Sequence, residues 1–121
     1  MSGQKIHKPR DRNSMPSIMQ AEALDKAAHD GGLLIEFDWQ DSGKCLVWTT
    51  RSHARAALKA TEQAQVPQRA SWCTTRRLLE GMVRIGWFVA LDTLYERRRM
   101  ITDAGKEALA RWRKANQAKA A

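Results

Sequence analysis

Two groups of arginines are the residues of this chain best suited to bind another molecule. The first group is Arg76 and Arg77 with the two threonines before them, Thr74 and Thr75, and the second is Arg97, Arg98 and Arg99. A guanidinium group keeps its charge at any physiological pH, and its fork of N–H donors fits phosphate oxygens or the edge of a guanine. The two groups therefore predict one surface that binds a polyanion.

The positive charge of the chain is concentrated in its second half. The net charge is +8, but residues 1–50 carry six Lys or Arg against seven Asp or Glu, while residues 51–121 carry fifteen against six. An excess confined to one region indicates a positive face, which is typical of proteins that bind nucleic acids. A basic surface with no polyanion partner is the alternative interpretation, since charge runs are common on solvated surfaces.

Residues that could perform catalysis form no known pattern in this sequence. It contains no Gly-rich phosphate loop, no nucleophilic serine elbow and no motif of paired carboxylates. Two histidines and two cysteines could in principle bind zinc, but their spacing fits neither a finger nor a ribbon; they are His29, His53, Cys45 and Cys73. The sequence therefore predicts a protein that is not an enzyme and has no metal or cofactor.

The first half of the chain predicts an arm, a helix and a β-hairpin. Residues 1–16 are polar and basic and are expected to form a flexible arm. Ser14 or Ser17 is suited to cap a helix that the glycine pair at 31–32 would end. Over residues 33–49, apolar and polar residues alternate on both sides of the turn sequence QDSGK, which indicates a hairpin.

The second half predicts two helices, a pair of strands and a final helix. The expected boundaries are about 52–65 and 74–85 for the two helices, 88–101 for the strand pair and 103–117 for the final helix. Pro67 interrupts the chain between the two helices, and Gly86 can adopt the left-handed conformation that ends the second. Leu78, Met82 and Ile85 follow helical spacing and are expected to face the core.

This order of elements resembles the winged helix-turn-helix domain of the MarR family. The resemblance is carried by TTRRLLEGMVRIGWF, by ERRRMITDAG and by the helix that follows, and it covers roughly residues 54–110. It implies a single winged-helix domain over 17–117, in the fold class α+β, mainly α. The additional N-terminal helix and β-hairpin would occupy 17–50, and the helix-turn-helix and wing would occupy 52–101.

The resemblance also implies a function. Helix 74–85 would be the recognition helix in the major groove, and the wing at 88–101 would contact the DNA backbone or the minor groove. The chain would be a small sequence-specific protein that binds double-stranded DNA and regulates transcription. Because one recognition helix reads few base pairs, a homodimer is expected. A cytoplasmic location is expected as well, since no apolar run is long enough for a membrane span or a signal peptide.

Other interpretations of the same residues stay open. Arg76 or Arg77 could pair with Glu80 on a solvated helix face, and residues 97–99 could belong to an ordinary turn. A winged-helix chain could also bind another protein, with the acidic hairpin as its docking surface. For a homodimer, the predicted contact is formed by the hairpin and the first and last helices, whose apolar residues exceed the needs of the core; they are Trp39, Trp48, Leu109 and Trp112.

Overall fold

The computed structural model describes residues 13–40 and 44–120, which form four helices and one antiparallel sheet. The helices are α1 (Ile18–Ala28), α2 (Arg51–Ala64), α3 (Arg76–Ile85) and α4 (Asp103–Ala120), and the strands are β1 (Leu33–Gln40), β2 (Lys44–Thr49), β3 (Phe88–Ala90) and β4 (Arg98–Ile101). The strand order is β2-β1-β4-β3. The α+β class expected from the sequence is confirmed at this level.

Short-range signals in the sequence set the ends of the helices. Ser17 and Gln20 form a reciprocal capping box at the start of α1. Thr102 precedes α4, and its hydroxyl accepts the backbone N–H of Gly105 at 3.1 Å. Gly86 follows α3 with a φ of +97°, a conformation that favours glycine. These caps confirm the positions predicted for the three helix ends.

Helix α3 begins later and is rotated relative to the prediction. Its N-cap is Thr75, whose hydroxyl accepts the backbone N–H of Leu78 at 3.2 Å. Leu79 and Met82 are its two buried residues, 1% and 0% exposed, whereas Leu78 is only partly buried. The inward face therefore centres on Leu79 and Met82, while Leu78 and Ile85, which were predicted to face the core with Met82, pack against its margin.

The sheet separates two apolar clusters. On one face, strand residues pack with α1, α3 and α4; this cluster contains Leu24, Leu34, Trp48, Leu79, Met82, Trp87, Phe88, Ile101, Ala108 and Leu109. On the other face, strand residues pack with α2; this cluster contains Ile35, Phe37, Val47, Ala54, Ala57 and Ala70. Because side chains alternate along a strand, the neighbours Leu34 and Ile35 enter different clusters. Helices α2 and α3 consequently lie on opposite faces of the sheet.

This placement of α2 and α3 separates the two helices of the helix-turn-helix that was expected within residues 52–101. Helix α2 packs on β1, whereas α3 packs on α1, β2 and β3, so the two helices do not form a packed pair. The chain between them passes around the edge strand β2. There Thr74 and Trp48 exchange two backbone hydrogen bonds, of 2.7 and 2.9 Å.

The predicted arm is described only at its last residues. Residues 1–12, which contain Lys5, Lys8, Arg10 and Arg12, lie outside the described residues. Pro16 is buried, and the carbonyl of Ser14 accepts a hydrogen bond from Arg111 at 2.8 Å. The end of the predicted arm is thus attached to α4. None of the described helices combines the length and apolar character needed to cross a bilayer.

Two glycines in helices should respond in opposite ways to alanine. A Cβ at Gly105 would lie far too close to the carbonyl oxygen of Trp87 and 2.8 Å from Cγ1 of Ile101, whereas a Cβ at Gly81 would meet nothing within 4 Å. Gly105→Ala should cost roughly 1–3 kcal/mol through overpacking. Gly81→Ala should stabilise by about 0.5–1 kcal/mol through helix propensity. Urea unfolding of both variants measures the two effects, and shifts of the same sign would contradict the packing described.

Candidate nucleic-acid interface

The exposed side of α3 carries two arginines and a glycine in line. Arg77, Gly81 and Arg84 are spaced by four and three residues, so they fall within roughly 60° of the helix circumference. We call these three residues the α3 face. Both arginines are exposed, and within the described part of the chain neither side chain makes a hydrogen bond or an ion pair. Sequence reasoning missed Arg84, although its spacing of seven from Arg77 was a usable signal.

Gly81 leaves the backbone of α3 open at the middle of this face. Glycine inside a helix costs about 1 kcal/mol relative to alanine. Steric crowding does not explain it, because a Cβ there would have free space. The open backbone at Gly81 therefore lies between two exposed arginines, Arg77 and Arg84.

Arg76 is exposed but paired. Its Nε donates to Oε1 of Glu80 at 2.8 Å, and the two side chains are 65% and 40% exposed. This hydrogen bond lowers the pKa of Glu80, which is therefore ionised at neutral pH. The ion pair of Arg76 with Glu80 is the alternative interpretation that the sequence left open. Such exposed pairs contribute little to stability and are screened by salt, so a phosphate could compete for Arg76.

The two threonines of the first group have structural roles. Thr74 is 7% exposed and pairs through its backbone with Trp48, so little of its side chain is available to the DNA contact that the sequence predicted. Its hydroxyl is buried and has no hydrogen-bond partner among the described residues. Thr75 is exposed, but its hydroxyl caps α3 by accepting the N–H of Leu78. A threonine at the start of a helix is explained by capping alone.

Arg99 is built into the fold. Its side chain is 12% exposed, its guanidinium carbon lies 4.6 Å from the ring centroid of Trp48, and Nη1 donates to Asp92 at 2.7 Å. The side chain of Arg99 reaches from β4 across β1 to Trp48 on β2, since β1 lies between these two strands in the sheet. Little of Arg99 is therefore available to the DNA contact that the sequence predicted, because its Nη1 and its guanidinium face are engaged inside the protein.

The other two arginines of the second group differ from each other. Arg98 donates to Oε1 of Glu96 at 2.7 Å, and Arg51 of α2 donates to the same carboxylate at 2.9 Å. This ionic triad leaves Arg98 only partly exposed. Arg97 is exposed and lies near enough to Asp92 for their charges to interact, but its side chain makes no hydrogen bond or ion pair among the described residues. Of the three arginines, Arg97 alone is available to a phosphate.

The carboxylates of Asp92 and Glu96, which contact the arginines of the second group, are held ionised. Partial desolvation opposes the ionisation of Asp92, but hydrogen bonds from the Arg98 backbone and the Arg99 guanidinium outweigh it and lower its pKa. Desolvation acts in the same way on Glu96, and its hydrogen bonds from Arg98 and Arg51 again lower the pKa. Each carboxylate therefore neutralises part of the arginine charge that the sequence places here.

The α3 face and the hairpin of β3 and β4 border a common side of the molecule. A shallow depression of about 240 Å³ lies between them and is lined by Glu80, Val83, Arg84, Ala90 and Arg99. Glu36 of β1 lines a second depression beside residues 93–97. Its charge also reaches Arg76 at the start of α3. One extended ligand could therefore touch both elements.

Several of the residues considered for zinc or for a dimer contact have other contacts, while the side chain of Cys45 lies outside the described ones. His53 hydrogen-bonds to Thr50 at 2.6 Å, and His29 to the carbonyl of Asp25 at 2.8 Å. No group of three or more potential metal ligands occurs in the described ranges. Trp48 and Leu109 are 3% exposed and belong to the core, so their predicted place in a dimer contact was wrong.

Comparison of the chain with known protein families, with curated protein sequences and with solved structures finds no match of any of the three kinds.

Arg97 and Arg99 should differ in their effect on stability. Arg99→Ala removes a charged hydrogen bond and a cation–π contact and should destabilise by roughly 1–3 kcal/mol. Arg97→Ala makes the same charge change at an exposed position and should stay within about 0.5 kcal/mol of the wild type. Thermal and urea unfolding of both variants tests the assignment. Equal melting temperatures would show that the Arg99 contacts do not hold the fold.

Proposed function

We propose that the chain is a winged-helix protein that binds double-stranded DNA and regulates transcription. Helix α3 enters the major groove, and the β3–β4 hairpin is the wing. The α3 face carries this proposal, because two free arginines flank a glycine on the exposed side of a helix that is well anchored on its other side. Its N-terminal half presents Arg77, whose fork can donate twice to a guanine.

The arrangement of the strands supports the same interpretation. β1 pairs with β4, and β4 pairs with β3, so the hairpin that follows α3 is fixed to the sheet on which α3 packs. A helix and a hairpin held on one frame can occupy neighbouring grooves of a duplex. Arg97 at the wing is then placed to contact a phosphate.

Helix α2 has a different place in this proposal from the one the resemblance implied. It lies across the sheet from α3 and is not a partner helix that crosses the DNA backbone beside it. The contact surface consists of α3 and the wing, and α2 contributes through the Arg51 contact that holds Glu96 of the wing.

We also propose that the protein acts as a homodimer through the start of α1. Ile18 and Met19 are 74% and 66% exposed, and Met15 before them is 47% exposed. Three adjacent apolar side chains of this kind suit the centre of a small two-fold contact. Sedimentation at tens of micromolar should show a dimer that Ile18→Asp converts to a monomer. A monomeric wild type would exclude this contact.

DNA binding can be tested by substitutions on the α3 face. Arg77→Ala should cost roughly 1–3 kcal/mol on a duplex selected from a random library, and much less on unrelated duplex, because a base contact carries sequence information. Arg84→Ala should weaken both duplexes similarly and reduce the salt dependence of binding. Gly81→Ala should weaken binding although it stabilises the helix.

The matched control is Arg55→Ala, which removes the same charge from the exposed side of α2. Competition binding with both duplexes over a salt series should show Arg55→Ala close to the wild type. If the control loses as much affinity as Arg77→Ala, binding depends on total charge and not on α3. If the wild type binds no duplex even at low salt, the proposal fails, and binding to an acidic protein becomes the better explanation.

A further inference from the structure

The two most exposed large apolar side chains of the described residues are neighbours. Leu94 is 96% exposed and Tyr95 is 95% exposed. They lie at the end of the β3–β4 hairpin, and we call them the hairpin tip. Single exposed apolar residues are ordinary on a protein surface. Two adjacent ones at the end of a projecting element are not explained by the core.

The hairpin continues beyond its strands up to this tip. The backbone N–H of Leu91 donates to the carbonyl of Arg98 at 3.0 Å, and that of Thr93 donates to the carbonyl of Glu96 at 2.8 Å. Both bonds keep the antiparallel register of the strands. The hydroxyl of Thr93 also accepts the backbone N–H of Glu96 at 3.1 Å. The tip is therefore a two-residue loop on a braced hairpin.

The geometry of the turn does not account for the residue types at the tip. Two-residue hairpin loops favour Asn, Asp and Gly, which adopt left-handed conformations at low cost. Neither Leu94 nor Tyr95 has a positive φ. With side chains almost wholly in solvent, they also add nothing to packing. Contact with a partner molecule would explain why both residues are apolar.

The charges around the tip fit a polyanion with an apolar interior. The neighbouring carboxylates of Asp92 and Glu96 are bound to arginines, so they do not repel phosphates strongly, and the carboxylate of Glu36 lies on β1, across the depression from the tip. Arg97 is exposed next to the tip. A nucleic acid offers stacked apolar bases flanked by phosphates, which matches the pair Leu94 and Tyr95 beside the exposed charge of Arg97. Two side chains are also too few for a protein interface, which buries about 800 Å² on each partner.

We propose that the hairpin tip is a wedge that enters the minor groove of duplex DNA and unstacks one base step. Leu94 inserts between two base pairs, and Tyr95 stacks on a base that the insertion exposes. This inference rests on the proposed DNA binding, because α3 must first place the hairpin beside the groove. Pyrimidine–purine steps unstack most readily, so the preferred sites contain such a step under the tip.

The test uses the double variant Leu94→Asn, Tyr95→Ser, which places two small polar residues that readily adopt a negative φ at the tip. The full chain with this change should fold as stably as the wild type. The probe is a selected duplex in which 2-aminopurine replaces the adenine of its TA or CA step, with a donor and an acceptor dye at its ends. The wild type should raise the 2-aminopurine fluorescence and bring the ends closer. The double variant should lose both signals and bind roughly tenfold more weakly.

Two further variants separate the roles within the tip and control for exposed apolar area. Tyr95→Phe keeps an aromatic face and should retain the fluorescence signal. Leu58→Asn removes a leucine that is 57% exposed on α2 and should behave as the wild type in every measurement.

Each outcome decides the inference. If the wild type binds duplex through the α3 face but leaves the step stacked and the DNA straight, the wedge is wrong and the proposed function stands. The wedge is also wrong if the double variant keeps the DNA signals and instead loses self-association in sedimentation, which would make the tip a protein contact. A wild type that binds no duplex overturns both proposals together.

Discussion

The rest of the structure depends on the contacts of Trp48, the residue where three elements meet. Its backbone pairs with Thr74 across the free edge of β2, its ring is 3% exposed in the main core, and the guanidinium of Arg99 lies over that ring. The backbone pair covers the edge of the sheet and fixes the residue that directly precedes the N-cap of α3. The arginine contact fixes β4 to the same point. One tryptophan therefore sets the relative positions of α3 and the wing.

The same constraint explains why α2 and α3 separate. Because the chain must pass the edge of β2 to reach Thr74, the helix before this crossing packs on one face of the sheet and the helix after it on the other. A helix-turn-helix unit normally uses its first helix to buttress the second. Here the sheet and α1 provide that support. The recognition surface proposed for this chain thus consists of one helix and one hairpin on a rigid sheet.

Local features of the fold could be predicted from the sequence, and long-range contacts could not. The caps at Ser17, Thr102 and Gly86, and the alternation that indicates β1 and β2, act over a few residues and are visible in the chain. The burial of Thr74 depends on a partner 26 positions away, and that of Arg99 on one 51 positions away. No periodicity near either residue carries this information. An arginine in a cluster of three was reasonably expected to be exposed, and the tryptophan that it covers overrides that expectation.

The pairing of charges changes what the basic second half of the chain can do. Arg51, Arg76, Arg98 and Arg99 are bound to carboxylates, and those carboxylates stay ionised because the same contacts lower the pKa of Glu80, Asp92 and Glu96. On the side shared by α3 and the β3–β4 hairpin, the arginines without a hydrogen bond or ion pair among the described residues are Arg77, Arg84 and Arg97. Three separated charges attract a duplex more weakly than the net charge suggests, since each phosphate contact adds its own increment. In the proposed complex with DNA, affinity then has to come from contacts that depend on position: the fork of Arg77, the close approach at Gly81, and the apolar tip of the hairpin. If the proposal holds, such a surface favours selectivity among DNA sites over strong binding to any polyanion.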